Sequence, residues 1–289
     1  MGIQTWDEVR TAWMVARAGT VSGAAEALGV HHATVIRHID ALEARLGVKL
    51  FQRHPRGYTP TEAGAALAQV GRATEERFGQ LAARLSGIAA AIEGDLIVTC
   101  VSELSPLILP ALAAQQADHP ALRLILRGET RILRLEYGEA HVAIRAGARP
   151  DEPDAVVQPF TTLPVALYAH PDYLERHGRP TGDADLAGHW FMGPEDPQAR
   201  PPFYRWLAAT VPAEAVVCRS DSPPALVAAI RAGLGLGFII EPLAPPDLVP
   251  VLPPRPEWEV PLWLVTHVDL HRTAKVQAAL AALKRGAAR

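Results

Sequence analysis

The chain has 289 residues, 49% of them hydrophobic, and a net charge of −3. That apolar fraction supplies packed cores for one to three domains and excludes global disorder. No apolar run of about twenty residues occurs, which excludes a membrane partner, and a helical pattern begins too early for a signal peptide, so a cytoplasmic protein is expected.

Charge is unevenly placed. Residues 1–60 carry seven Lys and Arg against five Asp and Glu, a net +2, which leaves −5 on the remainder. The N-terminal end is therefore where a polyanion would be met. The same segment holds two short helical patterns. Ala24-Ala25-Glu26-Ala27-Leu28 is followed by Gly29-Val30, and Val35, Ile39, Leu42 and Leu46 recur at steps of four, three and four. These steps mark a buried stripe on the second helix. Gly29 falls where the chain must leave a helix sharply, and glycine tolerates positive φ there. The pattern is that of a helix-turn-helix, whose second helix enters a DNA major groove. On that helix His32, Ala33, Ile36, Arg37 and Asp40 face outward, with His31 at the N-terminal end. Periodicity alone fits a plain helical hairpin with a solvated face equally well.

Residues 46–61 separate the two. Leu46-Gly47-Val48-Lys49-Leu50-Phe51-Gln52-Arg53 is a helix stop and a short strand, His54-Pro55-Arg56-Gly57 a turn, and Tyr58-Thr59-Pro60-Thr61 a returning strand. A two-stranded wing with Arg53 and Arg56 at its tip suits contact with the DNA backbone or minor groove. With these residues in place, the run from Trp6 to Gly64 resembles the winged helix-turn-helix of LysR-type transcriptional regulators. The resemblance is carried by the Ala24–Val30 run, Val35, Arg37, Ile39, Leu42-Glu43, Leu46–Arg53 and Thr59-Pro60-Thr61-Glu62-Ala63-Gly64. It implies a bacterial DNA-binding regulator, at the nucleoid when bound, whose DNA contacts are His31, His32, Ala33, Arg37, Arg53 and Arg56. The family commonly has Ser-Gln-(Pro/Ser)-Ala-Val-Ser-Arg where this chain has His31-His32-Ala33-Thr34-Val35-Ile36-Arg37. Arg37 is kept, while imidazoles stand where a hydroxyl and an amide would present other hydrogen-bond patterns.

From Thr61 one long helix is expected to about residue 93. Leu67, Val70, Thr74, Phe78, Leu81, Leu85, Ile88 and Ile92 follow steps of three and four. Such a seam needs a partner helix or the chain's own C-terminal domain. The resemblance implies the former: a homodimer paired through Phe78, Leu81 and Leu85, extended to a homotetramer.

After Gly94 near-continuous apolar strands alternate with helices, which predicts parallel sheets covered on both faces. Strands are expected at Asp95–Ser102, Leu122–Gly128, Ala140–Ala146, Pro164–His170 and Leu262–His267, with a closing helix at Arg272–Lys284. Cys100 and Cys218 fall in such strands and read as buried, inert thiols. The Gly233-Leu234-Gly235-Leu236-Gly237 run follows a helix and precedes a strand, the reverse of a dinucleotide-binding turn. Two α/β lobes joined by crossover strands resemble the effector domain of LysR-type regulators, which is like a periplasmic binding protein.

The expected fold is therefore α+β and multidomain. A winged helix-turn-helix spans 1–60 and a linker and dimerisation helix 61–93. A two-lobed α/β effector-binding domain spans 94–289, with lobe 1 at about 94–160 and 268–289 and lobe 2 at about 161–267. Between the lobes a small effector, a carboxylate-bearing metabolite, would meet Ser102, Glu103, Glu129, Thr130, Arg145 and Gly193. Those positions lie at strand ends and helix starts, where donors converge. Arg145 ends a buried strand and requires an anion, either the effector or an acid such as Glu103 or Glu129. Glu103 and Glu129 also suit an amine or hydroxyl on the effector. No Gly-x-Ser-x-Gly elbow and no His-Glu-x-x-His occur, so no catalytic residue, metal ligand or cofactor is expected. A secreted solute-binding protein would share the lobes but lack residues 1–93.

Overall fold

The structure, a computed structural model, describes residues 5–55, 57–85, 92–128 and 131–287, with backbone alone at 76, 80 and 82–85. The chain divides into two compact units. One is Met1–Ala91 with Arg134–Ala140, the other Ile92–Leu133 with His141–Arg289.

The first unit opens with three helices, α1 (Trp6–Ala18), α2 (Val21–Leu28) and α3 (His32–Leu46). The Thr20 hydroxyl caps α2 by accepting from the Gly23 amide at 3.1 Å. Gly29 ends α2 at φ 66°, the left-handed conformation the sharp turn requires. Ala24, Val35, Ile39 and Leu42 are fully buried where α2 and α3 cross. Leu46 is only partly buried at the edge of this core.

Strands β1 (Phe51–His54) and β2 (Gly57–Pro60) pair antiparallel, with Phe51 opposite Pro60 and His54 opposite Gly57. This is the expected wing. Helix α4 (Glu62–Leu85) comes next, its first turn capped by the Thr61 hydroxyl accepting from the Gly64 amide. One face of α4 packs on α1: the Trp13 indole N–H donates to Glu75 at 2.8 Å, and Trp6 meets Phe78 edge-on at 5.5 Å. The segment Arg134–Ala140 belongs to this unit as well. The Arg72 guanidinium donates to the Gly138 carbonyl. This short stretch of the C-terminal region thus packs on α4.

The linker expectation is corrected at its end. The helix is described to Leu85, and Ile88 lies outside the described residues. Ile92 is not helical and packs against the core of the second unit.

The second unit begins with β3 (Gly94–Cys100), a 3₁₀ turn at Ser102–Leu104, α5 (Ser105–Asp118), β4 (Leu122–Gly128) and β5 (Val142–Ala146). Then come β6 (Ala155–Leu163), β7 (Val165–Ala169), α6 (Pro171–His177), β8 (Phe191–Pro194) and α7 (Pro202–Thr210). The chain closes with β9 (Val216–Ser220), α8 (Pro223–Arg231), β10 (Gly237–Ile240), β11 (Val249–Leu252), β12 (Val260–His267), α9 (Val268–His271) and α10 (Ala274–Ala287).

One sheet has the order β4-β3-β5-β12-β6, and a second has β10-β7-β11 beside the pair β8-β9. Among the described residues, only β3 with β4 and β5, and β8 with β9, form parallel ladders. The expected all-parallel sheets are thus mixed, because β12 returns antiparallel between β5 and β6. That placement also moves Val260–His267 from the second lobe to the first, and β6 extends the first lobe to Leu163. The lobes share one continuous core, from Leu96, Val98 and Ile144 through Val165 and Leu167 to Phe238 and Trp258. Among the described residues, no helix is long and apolar enough to cross a membrane.

Candidate DNA-reading surface and effector cleft

Helix α3 is anchored from behind. Arg45 forms a two-pronged pair with Glu8 of α1 at 2.7 and 2.8 Å, and His38 Nδ1 lies 2.9 Å from the Thr11 hydroxyl. The opposite face is open. His31, His32, Ala33 and Arg37 are exposed, and Arg37 has no ion pair or hydrogen bond among the described residues. The imidazoles stand at the N-terminus of α3, where unpaired amides and the helix dipole favour a phosphate. Ile36 departs from the expected outward placement: it is half-buried against the domain core.

Glu43 ties the wing to this helix. Its side chain is 2% exposed and accepts from the amides of Leu50 at 2.9 Å and Phe51 at 3.2 Å and from Lys49 Nζ at 2.7 Å. Burial alone would raise its pKa. The hydrogen bonds from Lys49, Leu50 and Phe51 outweigh that and hold the carboxyl below the ordinary range.

Arg53 requires a correction. It pairs across the strands with Tyr58, one step short of the tip. Its guanidinium turns back to α3, donating to Asp40 at 2.5 Å and Glu43 at 3.1 Å, 5.3 Å from the Tyr58 ring. The bond to Asp40 raises its pKa against the opposing cost of burial. Arg56, the other expected wing contact, lies outside the described residues.

In the second unit, β3 and β4 end side by side. The exposed Ser102 hydroxyl donates to the Gly128 carbonyl at 3.1 Å, joining the two strand ends. Glu103, half-buried, lies in the turn that leads into α5. Glu129 and Thr130 lie outside the described residues. Gly193 is buried in β8. A Cβ there would sit 2.8 Å from Val216 and 3.4 Å from Leu207, so its smallness closes α7 and β9 onto β8, and it brings no side chain to the cleft.

Arg145 is placed elsewhere than expected. Ile144 points into the shared core with Leu96 and Val98, so its neighbour Arg145 points to the other face of the sheet. There its guanidinium donates to the Leu133 carbonyl at 2.9 Å and lies 3.9 Å from Glu152. Burial lowers its pKa, and Glu152 partly offsets this. Its Nε makes no hydrogen bond among the described residues, and the acid nearest it there is Glu152 rather than Glu103.

Tyr204 on α7 is a residue the sequence reading does not single out. It packs between the shared core and the second lobe's own cluster. Burial first, and the nearby Glu103 carboxylate second, push its pKa up to about 12. The Pro201-Pro202 start of a helix carrying an aromatic is the signal the sequence offers. Cys100 lies nearby; its thiol is pushed up by burial, eased by a hydrogen bond from Ser105. Cys218 is half-buried in β9, less enclosed than expected.

Residues 6–65 match the family described as bacterial regulatory helix-turn-helix protein, lysR family, and residues 89–288 match the LysR substrate binding domain. The chain is 29% identical over 282 residues to an HTH-type transcriptional repressor of Pseudomonas aeruginosa, covering 91% of this chain and 86% of that one. It is similar to a full-length OxyR variant from Pseudomonas aeruginosa at 18% identity, with a TM-score of 0.72 over 98% of this chain and 96% of that chain. Full-length CbnR in complex with its target DNA matches at 20% identity, with a TM-score of 0.58 over 98% of this chain and all of that chain (100%). At these identities the solved structures speak for the fold.

Proposed function

Because this chain belongs to the LysR family of bacterial helix-turn-helix regulators, we propose that it regulates transcription by presenting α3 to a DNA major groove under the control of an effector held by its C-terminal unit. It is a regulator and not an enzyme. The observation that carries the DNA reading is the open face of α3, where Arg37 stands exposed and unpaired beside His32 and Ala33. Arg37 reads a base edge or a phosphate, His31 and His32 meet the DNA at the helix N-terminus, and Arg56 serves the backbone from the wing. Arg37→Ala is expected to cost about 1–3 kcal/mol of specific binding. The check is selection of bound fragments from a genomic library, followed by gel-shift titration of the selected site. Equal affinity of wild type and variant for that site would remove Arg37 as a reader.

The effector reading is narrower than the one Arg145 supported. With one Arg145 nitrogen donating to Leu133 and its Nε near Glu152, the groups at the strand ends are the Ser102 hydroxyl, the turn and helix amides behind it and Glu103, and we add Tyr204 of α7 from the adjoining core. The turn amides, joined by the Ser102 hydroxyl once it rotates away from the Gly128 carbonyl, suit a carboxylate, and Glu103 suits an amine or hydroxyl. We therefore assign the site to a small amphoteric metabolite, with Thr130 and the Gly193 backbone as further contacts. A ligand at about a hundred times its Kd stabilises the folded chain by about 2.7 kcal/mol, which thermal shift reads directly. Amino acids, dicarboxylates and neutral analogues are the panel. The ligand that stabilises wild type is expected to bind about tenfold more weakly to Ser102→Ala and to Tyr204→Phe, the worth of about one hydrogen bond each. Equal stabilisation of all three proteins would place the ligand elsewhere.

A further inference from the structure

Two arginines border the outward face of α3, and the structure treats them differently. Arg37 is unpaired among the described residues. Arg53 is held by two carboxylates, at 2.5 Å by Asp40 and at 3.1 Å by Glu43. The hold by Asp40 is not needed to build the wing. Glu43 already accepts from Leu50, Phe51 and Lys49, and these bonds close the turn between α3 and β1. Asp40 itself is 51% exposed, on the helix face three residues from Arg37, where a carboxylate meets DNA phosphate unfavourably unless it is neutralised. Together Asp40, Glu43, Lys49 and Arg53 form a neutral cluster of two anions and two cations.

We propose that Asp40 is a specificity-determining residue: by clamping Arg53 onto α3 it withholds the wing cation from the phosphates of any duplex and keeps sequence-independent binding weak. Both carboxylates are met by the Arg53 Nη2, so a phosphate reaching the rest of the guanidinium meets a charge already neutralised by Asp40, and the clamped pair contributes little counterion release. Arg37 and the helix N-terminus are not clamped and carry the selective contacts. The inference rests on α3 and the wing being the DNA-facing surface.

The experiment is a double-mutant cycle on the full-length chain, using Asp40→Asn, Arg53→Gln and the double variant. Fluorescence anisotropy would follow binding to a labelled duplex of about 30 base pairs of arbitrary sequence over a range of salt concentrations. Asp40→Asn is expected to tighten binding roughly 3–10-fold near 0.1 M salt and to steepen the salt dependence by about one counterion. Arg53→Gln alone is expected to change affinity by less than about twofold, yet to abolish the gain in the Asp40→Asn background. Additive effects would overturn the clamp, since they are what two independent surface charges produce. Weaker binding by Asp40→Asn would overturn it too, by making Asp40 a group that holds Arg53 ready for phosphate. Asp40→Ser, with circular dichroism of every variant, separates these outcomes from misfolding. A wild-type chain that binds no duplex even at low salt would overturn the DNA reading itself, and the clamp with it.

Discussion

Replacing Glu43 with Ala should loosen the junction between α3 and the wing by on the order of 3 kcal/mol. The side chain is buried, and its removal leaves the Leu50 and Phe51 amides without an acceptor in a site closed to water. Each such orphaned group costs about 1–3 kcal/mol. Lys49 and Arg53 lose less, because their side chains are 74% and 34% exposed and rehydrate. Hydrogen exchange of peptides spanning residues 47–60 should speed up about a hundredfold, which is the same free energy expressed as a rate. Glu43→Gln retains one acceptor oxygen and should fall between. The wild type should show a matching pH dependence. Its folded carboxyl titrates below the ordinary range, so the unfolded chain takes up the proton first. The stabilisation is complete above that range and is lost as pH falls through the depressed value. Protection of the wing that stays flat across this acid window would assign the junction to the apolar contacts of Leu50 and Phe51 alone.

The first unit is legible in the sequence because its signals are local. A stripe at Val35, Ile39 and Leu42, a glycine that must turn at Gly29, and a Thr61 cap each act within a few residues. The failures are long-range. The apolar run Val260–His267 reads as a buried strand whichever sheet it joins, and its antiparallel place between β5 and β6 is fixed by packing. Arg145 does need an anion, as its strand position implies. Which anion depends on the loop after β5 returning Glu152 to within 3.9 Å, and no spacing announces that. Strand position alone sends Arg53 to the wing tip. The competing carboxylate comes from Asp40, thirteen residues earlier on another element, and it turns the side chain back. Tyr204 becomes a candidate only once α7 is packed between the shared core and the second lobe's own cluster, which no local spacing announces.

Charging the exposed apolar edge of α4 should separate the chain from a second copy of itself. Val70, Phe78 and Leu81 are 47%, 51% and 50% exposed along this helix. The sequence seam is only partly available for such pairing. Leu67 packs on the helix-turn-helix core, and Phe78 shares one edge with Trp6 of α1. Leu85 lies in the helix by its backbone, its side chain outside what is described. The remaining stripe still leaves large side chains facing water at helical spacing, which is costly for a chain on its own. Covering a Leu or Phe recovers about 1.5–3 kcal/mol, and a two-fold pairing counts each residue twice. Val70→Glu with Leu81→Glu spares the Trp6 contact. It should weaken self-association by about 4 kcal/mol or more, on the order of a thousandfold in Kd, because each charge would be buried without a partner. Sedimentation velocity of wild type and variant across the micromolar range reads this as a shift toward the monomer. Phe78→Glu with Leu81→Glu should do the same and also loosen α1, visible as faster hydrogen exchange at Trp6–Ala18. A wild type that sediments as a monomer throughout, or a Val70/Leu81 variant that assembles unchanged, would show that this stripe is not the pairing surface.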